Sequence, residues 1–257
     1  MIRTSLAALA LMLGIAPTQA APVDASANYV ITLGGINVAA MRVDLDDSGS
    51  DYTIDVTANV AGLGAVVASG TAKVTATGSS SGSSLRSESF ALQTKARGDT
   101  FTVDVGYTGQ NVTSFKVDPP VVEYDRVPVE RSHLTGVGDF VSAFVLKGNG
   151  LDKSICNQRL RIFTGVERFN LDMSFVSDDE ATSPRTGYQG PVVLCSIAYE
   201  PISGHYQSNE MTNYLADESR ILVWYAPLGD TGYYIPYRVL LGTSMGDLSM
   251  VLVKTES

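Results

Sequence analysis

The chain has 257 residues, 27 acidic against 18 basic side chains, a net charge of −9 at pH 7 and 44% hydrophobic residues. An acidic chain without a block of lysine and arginine repels phosphate backbones, so the composition argues against nucleic acid as a partner. The hydrophobic fraction is sufficient for a sizeable core. No apolar run approaches the ~20 residues that a transmembrane helix needs, so the sequence predicts no transmembrane segment.

The first 20 residues have the pattern of an export signal. Arg3 supplies a positive charge, residues 6–15 form an apolar stretch too short to span a bilayer, and small residues precede the expected cleavage site after Ala20. We therefore expect a signal peptide over residues 1–20. The remainder, residues 21–257, is expected to be a single periplasmic β-spiral or half-barrel domain.

Strand patterns dominate the rest of the sequence. Residues 51–60 alternate apolar and polar side chains, which is typical of a half-buried strand. The pair Gly34-Gly35 separates two such runs and predicts a hairpin turn. Short turns join the patterns, which favours an antiparallel meander. The predicted strands are residues 28–35, 37–47, 51–60, 68–77, 86–96, 100–108, 112–118, 158–164, 167–176, 191–199, 219–226, 233–241 and 246–254.

Two stretches that resemble functional loops are better interpreted as hairpin turns. Residues 44–55 place acidic side chains at calcium-loop positions, but Asp55 stands where a bidentate glutamate is usual. The flanking residues alternate with period two, so a turn at residues 47–49 explains the same pattern. In the serine-rich stretch 76–87 we expect a long hairpin tip rather than a linker. With two histidines in the chain, a histidine-based zinc centre is not expected, and the sequence predicts no metal or cofactor.

One segment near mid-chain has the pattern of a helix. In residues 137–148 four apolar side chains share one face, Asp139 can cap the start and Gly148 can end the helix. We expect this central helix to cover or plug the concave side of a curled sheet. The acidic run at residues 177–180 is predicted to be a solvated loop between two strands.

The two cysteines of the chain admit two interpretations. Cys195 precedes His205 by ten positions, which would suit a thiol nucleophile beside its general base. However, Pro201 and Gly204 signal a turn between them, and no third group that would orient the imidazole is recognisable. In an exported protein an even number of cysteines normally forms disulfides. We therefore predict a disulfide between Cys156 and Cys195 and no catalytic residue.

The disulfide also bears on the shape of the sheet. If a loop over residues 177–188 joins two strands of a simple meander, Cys156 would lie opposite Phe175 and Cys195 near Asn170. In a flat sheet the cysteines would then be offset by roughly 16 Å along the strands, whereas a disulfide needs Cα atoms within about 7 Å. Either Cys156 lies on a segment that folds back, or the sheet coils. We predict an all-β fold with a single curled antiparallel sheet, a spiral or open barrel, and one central helix.

The most aromatic stretch of the chain is residues 223–239. Its side chains could grip an acyl chain, a glycan or a partner peptide at the open end of a curled sheet. Alternatively, they pack across strands around the turn at residues 228–232, which is the favoured interpretation because aromatic residues are good strand formers. The candidate ligand or partner surface comprises Trp224, Tyr225, Tyr233, Tyr234 and Tyr237.

Motifs along nearly all of residues 28–254 resemble a known bacterial family. They are YVITLGGINVAAMRVDL, FVSAFVL, CNQRLRIFTGVERFNLDM, LCSIAYEPISGHY and ILVWYAPLGDTGYYIPYRVLLGTSMGDLSMVLV. In their order and spacing the chain is similar to the bacterial domain-of-unknown-function family 3108. In plan it is similar to a neighbouring family of alphaproteobacterial periplasmic envelope-integrity proteins, whose fold is a spiral, barrel-like sheet with a disulfide. The resemblance implies a periplasmic, non-enzymatic role and carries over only Cys156 and Cys195, as a crosslink.

Three functions follow as hypotheses. The first, which we predict, is a non-enzymatic periplasmic protein of cell-envelope maintenance that binds an unknown periplasmic protein or a hydrophobic envelope ligand such as a lipid. The second is a periplasmic carrier of lipid or lipoprotein, which would need a contiguous apolar cavity on the concave side of the sheet. The third is a hydrolase that uses Cys195 and His205.

Overall fold

The computed structural model describes residues 21–61, 69–122, 124–218, 221–243 and 246–257. The predicted signal peptide over residues 1–20 lies outside the described residues. Within the described residues the chain forms fourteen strands and one α-helix, α1 (Glu210–Glu218). The strands are β1 (Val23–Leu33), β2 (Ile36–Asp47), β3 (Asp51–Val60), β4 (Gly70–Ser81), β5 (Ser84–Ala96), β6 (Asp99–Thr108), β7 (Asn111–Asp118), β8 (Leu146–Lys147), β9 (Arg159–Phe163), β10 (Arg168–Ala181), β11 (Gly190–Ser203), β12 (Ile221–Pro227), β13 (Tyr233–Leu241) and β14 (Leu248–Glu256).

All fourteen strands belong to one antiparallel sheet. The order of hydrogen-bonded neighbours is β7-β6-β5-β4-β3-β2-β1-β14-β13-β12-β11-β10-β9, and β8 pairs with β13 beside this path. Strands β7 and β9 therefore lie at the two edges, and no strand pairing closes the described sheet into a complete barrel. The predicted fold class, an all-β chain with a single open antiparallel sheet and one helix, is confirmed.

Local sequence chemistry explains why the strand predictions succeed. The predicted strands 51–60 and 233–241 coincide with β3 and β13. Gly34 and Gly35 both have positive φ angles, 56° and 82°, which glycine adopts without steric cost, and they form the predicted turn. The stretch at residues 44–55 is the β2–β3 hairpin, and the serine-rich stretch is the tip of the β4–β5 hairpin, as predicted.

The sheet curls so that its two edges approach each other. Residues 135–138 lie between the edges and bridge them: Thr135 pairs with Asn111 at the start of β7, and Gly138 pairs with Ile162 of β9. This short segment satisfies part of the backbone at both edges, which would otherwise be exposed. The curl that the sequence predicts is present.

Three buried apolar clusters stabilise the curled sheet. One lies against the first three strands and β12–β14, one against β9–β12, and one against β4–β6. The segment over residues 137–146 contributes to all three, through Val137, Val145 and Leu146. This segment therefore lies between the clusters and holds distant parts of the sheet together.

The prediction of a central α-helix over residues 137–148 is wrong, because no α-helix forms there. Only Ser142–Phe144 forms a single 3₁₀ turn, which Val141 precedes as its N-cap residue, and Asp139 accepts the amides of Val141 and Ser142 at 2.8 Å each. Residues 146–147 extend instead as β8 and pair with β13. Strand pairing satisfies these buried backbone groups as well as a helix would, and it directs Val145 and Leu146 into two different clusters.

The α-helix that the chain does form was not predicted from the sequence. In α1, Asn209 precedes the first turn and accepts the amide of Thr212 through its side-chain oxygen at 3.0 Å, a standard N-cap interaction. The helix follows β11 and packs against it. Among the described residues, no helix is long and apolar enough to cross a membrane.

The register that the sequence predicts for β10 and β11 is also wrong. Cys195 pairs with Phe175, whereas Asn170 pairs with Glu200. The acidic run at residues 177–180 is not a loop but the exposed end of β10, which continues to Ala181. Its acidic side chains point to solvent, so strand formation does not require their burial.

Gly204, at the end of β11, packs closely on the β9–β10 turn. It has φ of 82°, and a β-carbon there would lie 2.0 Å from the carbonyl oxygen of Val166. We expect Gly204→Ala to lower the free energy of unfolding by about 1–3 kcal/mol more than Gly82→Ala does. Gly82 has φ of 57° but open space around it, so this control isolates the contact from the backbone strain. Urea unfolding checks the prediction, and equal losses in the two variants would contradict it.

Candidate functional site

The two cysteines form the predicted disulfide. Cys156 ends a 3₁₀ helix over Lys153–Cys156, Cys195 lies in β11, and both side chains are fully buried. Their sulfur atoms are bonded, with the Cα atoms 5.3 Å apart. Of the two geometries that the sequence left open for the cysteines, the structure has the fold-back: the helical turn that ends at Cys156 packs against β10 and β11.

The disulfide removes the nucleophile of the hydrolase hypothesis. The sulfur of Cys195 is bonded to Cys156, and the described residues contain no free cysteine. His205 lies beyond the end of β11, where its carbonyl oxygen accepts the amide of Val127 at 3.0 Å. The described residues also contain no group of three or more His, Cys, Asp or Glu side chains placed to hold a metal ion.

Four of the five aromatic residues named as a candidate ligand or partner surface are buried, as the favoured packing interpretation predicts. Tyr225 and Tyr233 are fully buried, and Tyr234 and Tyr237 are 7% and 8% exposed. They occupy two of the apolar clusters, because successive β12 and β13 residues point alternately to the two packed faces of the sheet. Trp224 is partly exposed and donates its indole N–H to Asp179 at 2.8 Å. The structure therefore contains the cross-strand packing rather than a binding surface.

A buried polar cluster connects β2 and β4 with the paired strands β8 and β13. It comprises Asp47 of β2, Ser80 of β4, Lys147 of β8 and Tyr233 of β13, which we call the Asp47 cluster. The carboxylate accepts from the Ser80 hydroxyl at 2.9 Å, the Lys147 ammonium at 3.0 Å and the Tyr233 hydroxyl at 2.5 Å. Asp47 is 1% exposed, so its charge depends on these donors.

The pKa of Asp47 is set by burial and by the hydrogen bonds of this cluster. Burial by itself raises the pKa of Asp47, but hydrogen bonds from Tyr233, Lys147, the Gly49 amide and Ser80 outweigh burial and lower the pKa below its ordinary value. Sequence reasoning missed the cluster because Asp47 and Tyr233 are 186 residues apart, and nothing in a local pattern relates them.

A polar cleft lies between the edge of β9 and the start of β5. We call it the edge cleft; it has a volume of about 430 Å³, within the range of small-molecule sites. Its walls come from residues 83–87, residues 136–147 and residues 158–161, with Gln110 at one side. No aromatic side chain is among its lining residues. Sequence reasoning did not identify the cleft, because its walls are brought together only by the curl.

Asp139 forms the innermost acidic group of the edge cleft. It is fully buried, and its carboxylate accepts the hydroxyls of Ser87 and Ser142 at 2.5 Å each as well as two backbone amides. Burial first, and then the nearby Asp139 charge, raises the pKa of Tyr52 to about 12. Asp139 is thus an ionic anchor that ties the cleft wall to β5, with its hydrogen-bonding capacity already occupied.

Three basic side chains line the same cleft, and they differ in their partners. Lys147 belongs to the Asp47 cluster, and Arg159 forms ion pairs with Asp172 at 3.2 Å and with Glu200. Arg161 is exposed and forms no ion pair with any described residue. The cleft therefore presents polar walls, with Arg161 as its unpaired charge among the described residues.

Together, the fold and the cleft define an all-β protein with one open, curled antiparallel sheet and a polar cleft beside its β9 edge. Among solved structures, the chain is similar to a beta-barrel-like protein of domain of unknown function DUF1849 from Brucella abortus, with 13% sequence identity and a TM-score of 0.48. The likeness covers 91% of this chain and 97% of that chain. No family model and no curated protein matches the chain, so membership of family 3108 stays a prediction.

Proposed function

We propose that this chain is a non-enzymatic protein of the bacterial periplasm that supports the cell envelope by binding a partner protein or an envelope molecule at the edge cleft. The observation that carries the proposal is the cleft itself, which is open, polar and built from three separate parts of the chain. The export pattern of residues 1–20 and the Cys156–Cys195 disulfide support an oxidising compartment.

A lipid carrier is the weaker alternative. A carrier needs a contiguous apolar cavity for an acyl chain. Apolar side chains of the described sheet instead pack on one another in three buried clusters, and Tyr225, Tyr233 and Leu252 are fully buried there. The edge cleft has mostly polar walls, with serine, glutamine and arginine side chains among them. These features favour a protein that binds a polar molecule or segment over one that encloses a lipid.

A cell-based experiment tests this function. In the source bacterium, deletion of the gene is expected to raise sensitivity to detergent, and the wild-type chain, recovered in the periplasmic fraction, is expected to restore resistance. Ser83→Trp places a large side chain at the exposed rim of the edge cleft and should fail to restore it. Arg185→Trp, at an exposed position outside the cleft lining, is the matched control and should restore it.

The comparison requires equal amounts of each variant in the periplasm, and an immunoblot measures these amounts. Full restoration by Ser83→Trp, or a cytoplasmic location of the wild-type chain, would overturn the proposal. Native mass spectrometry of freshly purified protein addresses the carrier alternative. We expect the mass of the polypeptide without a lipid adduct, and a stoichiometric lipid adduct would favour the carrier instead.

A further inference from the structure

The charges of the edge cleft differ from those of the chain as a whole. The chain has a net charge of −9, yet the cleft is lined by the cations Lys147, Arg159 and Arg161 against one anion, Asp139. Asp139 is fully buried behind four hydrogen-bond donors. Lys147 and Arg159 are already paired with carboxylates outside the lining, so a ligand in the cleft meets the guanidinium of Arg161 and no accessible carboxylate from the lining residues.

Arg161 is the group best placed to act on a ligand. Of the three cations it is the one without a carboxylate partner among the described residues, and a guanidinium can donate two parallel hydrogen bonds to a carboxylate or phosphate. The Arg161 carbonyl faces Gly138 across the cleft side of β9, accepting its amide at 2.9 Å. Because backbone groups alternate along a strand, the N–H groups of Arg159 and Arg161 face this same side. Side-chain and backbone donors thus converge on one wall.

The remaining lining groups indicate what else the ligand carries. Ser83 and Gln110 carry hydroxyl and amide groups, which can donate to and accept from ligand hydroxyls. Ser84 and Gln158 retain acceptor oxygens, while the Ser84 hydroxyl donates to the Ser81 carbonyl at 3.2 Å and the Gln158 amide donates to the Ile155 carbonyl at 2.9 Å. The lining contains no aromatic ring on which a neutral sugar could stack, and its ten polar or charged residues outnumber its five apolar ones. We propose that the edge cleft binds a small, hydroxyl-rich anion, a sugar that bears a carboxylate or phosphate, through Arg161.

This inference rests on the proposed function at the edge cleft, and calorimetry on the purified mature chain tests it with defined probes. Glucuronate and glucose 1-phosphate are expected to bind, and neutral glucose to bind about tenfold or more weakly, because it lacks the charge-assisted bonds. The two anionic probes distinguish a carboxylate ligand from a phosphate ligand. Higher salt should weaken the binding of both anions, since Arg161 is exposed and its attraction is screened.

Two variants and one control localise the binding. Arg161→Gln removes the charge and keeps hydrogen-bonding capacity, and it should lower affinity for the anions about tenfold or more. Ser83→Trp should block the cleft sterically. Arg185→Gln removes an exposed arginine that does not line the cleft and should leave affinity unchanged. Thermal unfolding of each variant establishes that it is folded.

Equal binding of glucose and glucuronate, unchanged affinity in folded Arg161→Gln, or no binding of either anion would overturn the inference. These outcomes are separable from failure of the proposed function. If no anion binds while Ser83→Trp still fails to restore detergent resistance, the ligand assignment is wrong and the function at the cleft stands. If Ser83→Trp restores resistance, the function at the cleft is wrong even where anions bind in the calorimeter.

Discussion

Replacing both Cys156 and Cys195 with alanine is expected to lower the free energy of unfolding by about 4 kcal/mol. The bond joins positions 39 residues apart, and in the chain-entropy model a loop of this length restricts the unfolded chain by that amount. It also fixes the 3₁₀ turn that ends at Cys156 to the buried face of β10 and β11. Alanine avoids placing a hydroxyl without a partner at two fully buried positions.

Urea unfolding followed by the fluorescence of Trp224, the single tryptophan, measures this loss. Reduced wild-type protein is the matched control, because it lacks the bond and keeps both side chains, and it should lose a similar amount. Before reduction, the wild-type protein should resist alkylation. Alkylation of Cys195 without reductant, or a loss below about 1 kcal/mol in both samples, would contradict the prediction and restore the thiol required by the hydrolase hypothesis.

The strands could be predicted because the residue pattern that specifies each strand lies within that strand and its turns. Alternating polarity marks β3 within residues 51–60, and Gly34-Gly35 supplies the positive φ angles of its turn. The register of β10 and β11 could not be predicted in the same way. The acidic residues 177–180 resemble a loop, but they extend a strand because they lie at its solvated end. The predicted loop begins five residues too early. The predicted partner of Cys195 is therefore Asn170, whereas in the structure Cys195 pairs with Phe175.

The curl was predicted correctly, but its cause lies elsewhere. The sequence predicts the curl from the disulfide, whereas in the structure the disulfide joins a folded-back turn to β11 and requires no curl. The edges are joined instead by residues 135–138, within a region that the sequence does not assign to any strand. The helix predicted over residues 137–148, which overlaps this bridge, fails for a related reason, because β8 pairs with β13 across a long sequence separation. The edge cleft arises from the same long-range contacts, so no local motif predicts it.

Replacing Asp47 with alanine is expected to lower the free energy of unfolding by about 3 to 5 kcal/mol. The substitution leaves the Lys147 ammonium, 14% exposed, without its carboxylate, and it leaves the buried hydroxyl of Tyr233 without its acceptor. Removal of one partner from a buried pair costs this much because the other charge stays buried and uncompensated. A second substitution, Lys147→Met, should recover part of the loss, because the buried charge is then removed as well.

Asp44→Ala is the matched control for Asp47→Ala. Asp44 lies on the same strand and pairs with Arg42, but both side chains are nearly half exposed, so its loss should hardly change the stability. Urea unfolding of the four proteins, wild type, the two single variants and the Asp47→Ala/Lys147→Met double variant, measures these differences. Equal effects of Asp44→Ala and Asp47→Ala, or a double variant less stable than Asp47→Ala, would contradict the role of the Asp47 cluster.

The pH dependence of the stability difference between wild type and Asp47→Ala tests the role of the Asp47 cluster independently. Hydrogen bonds hold the pKa of Asp47 below its ordinary value despite burial, so the folded chain binds a proton there less readily than the unfolded chain. The stabilisation is therefore fully present above the ordinary carboxyl pKa of about 3.9 and is lost as the pH falls through the lower folded value. The stability advantage of wild type over Asp47→Ala should shrink as the pH falls from about 7 to about 3. If the advantage stays constant over this range, Asp47 does not stabilise the fold as a carboxylate, and the charged hydrogen bonds of the Asp47 cluster do not contribute to stability.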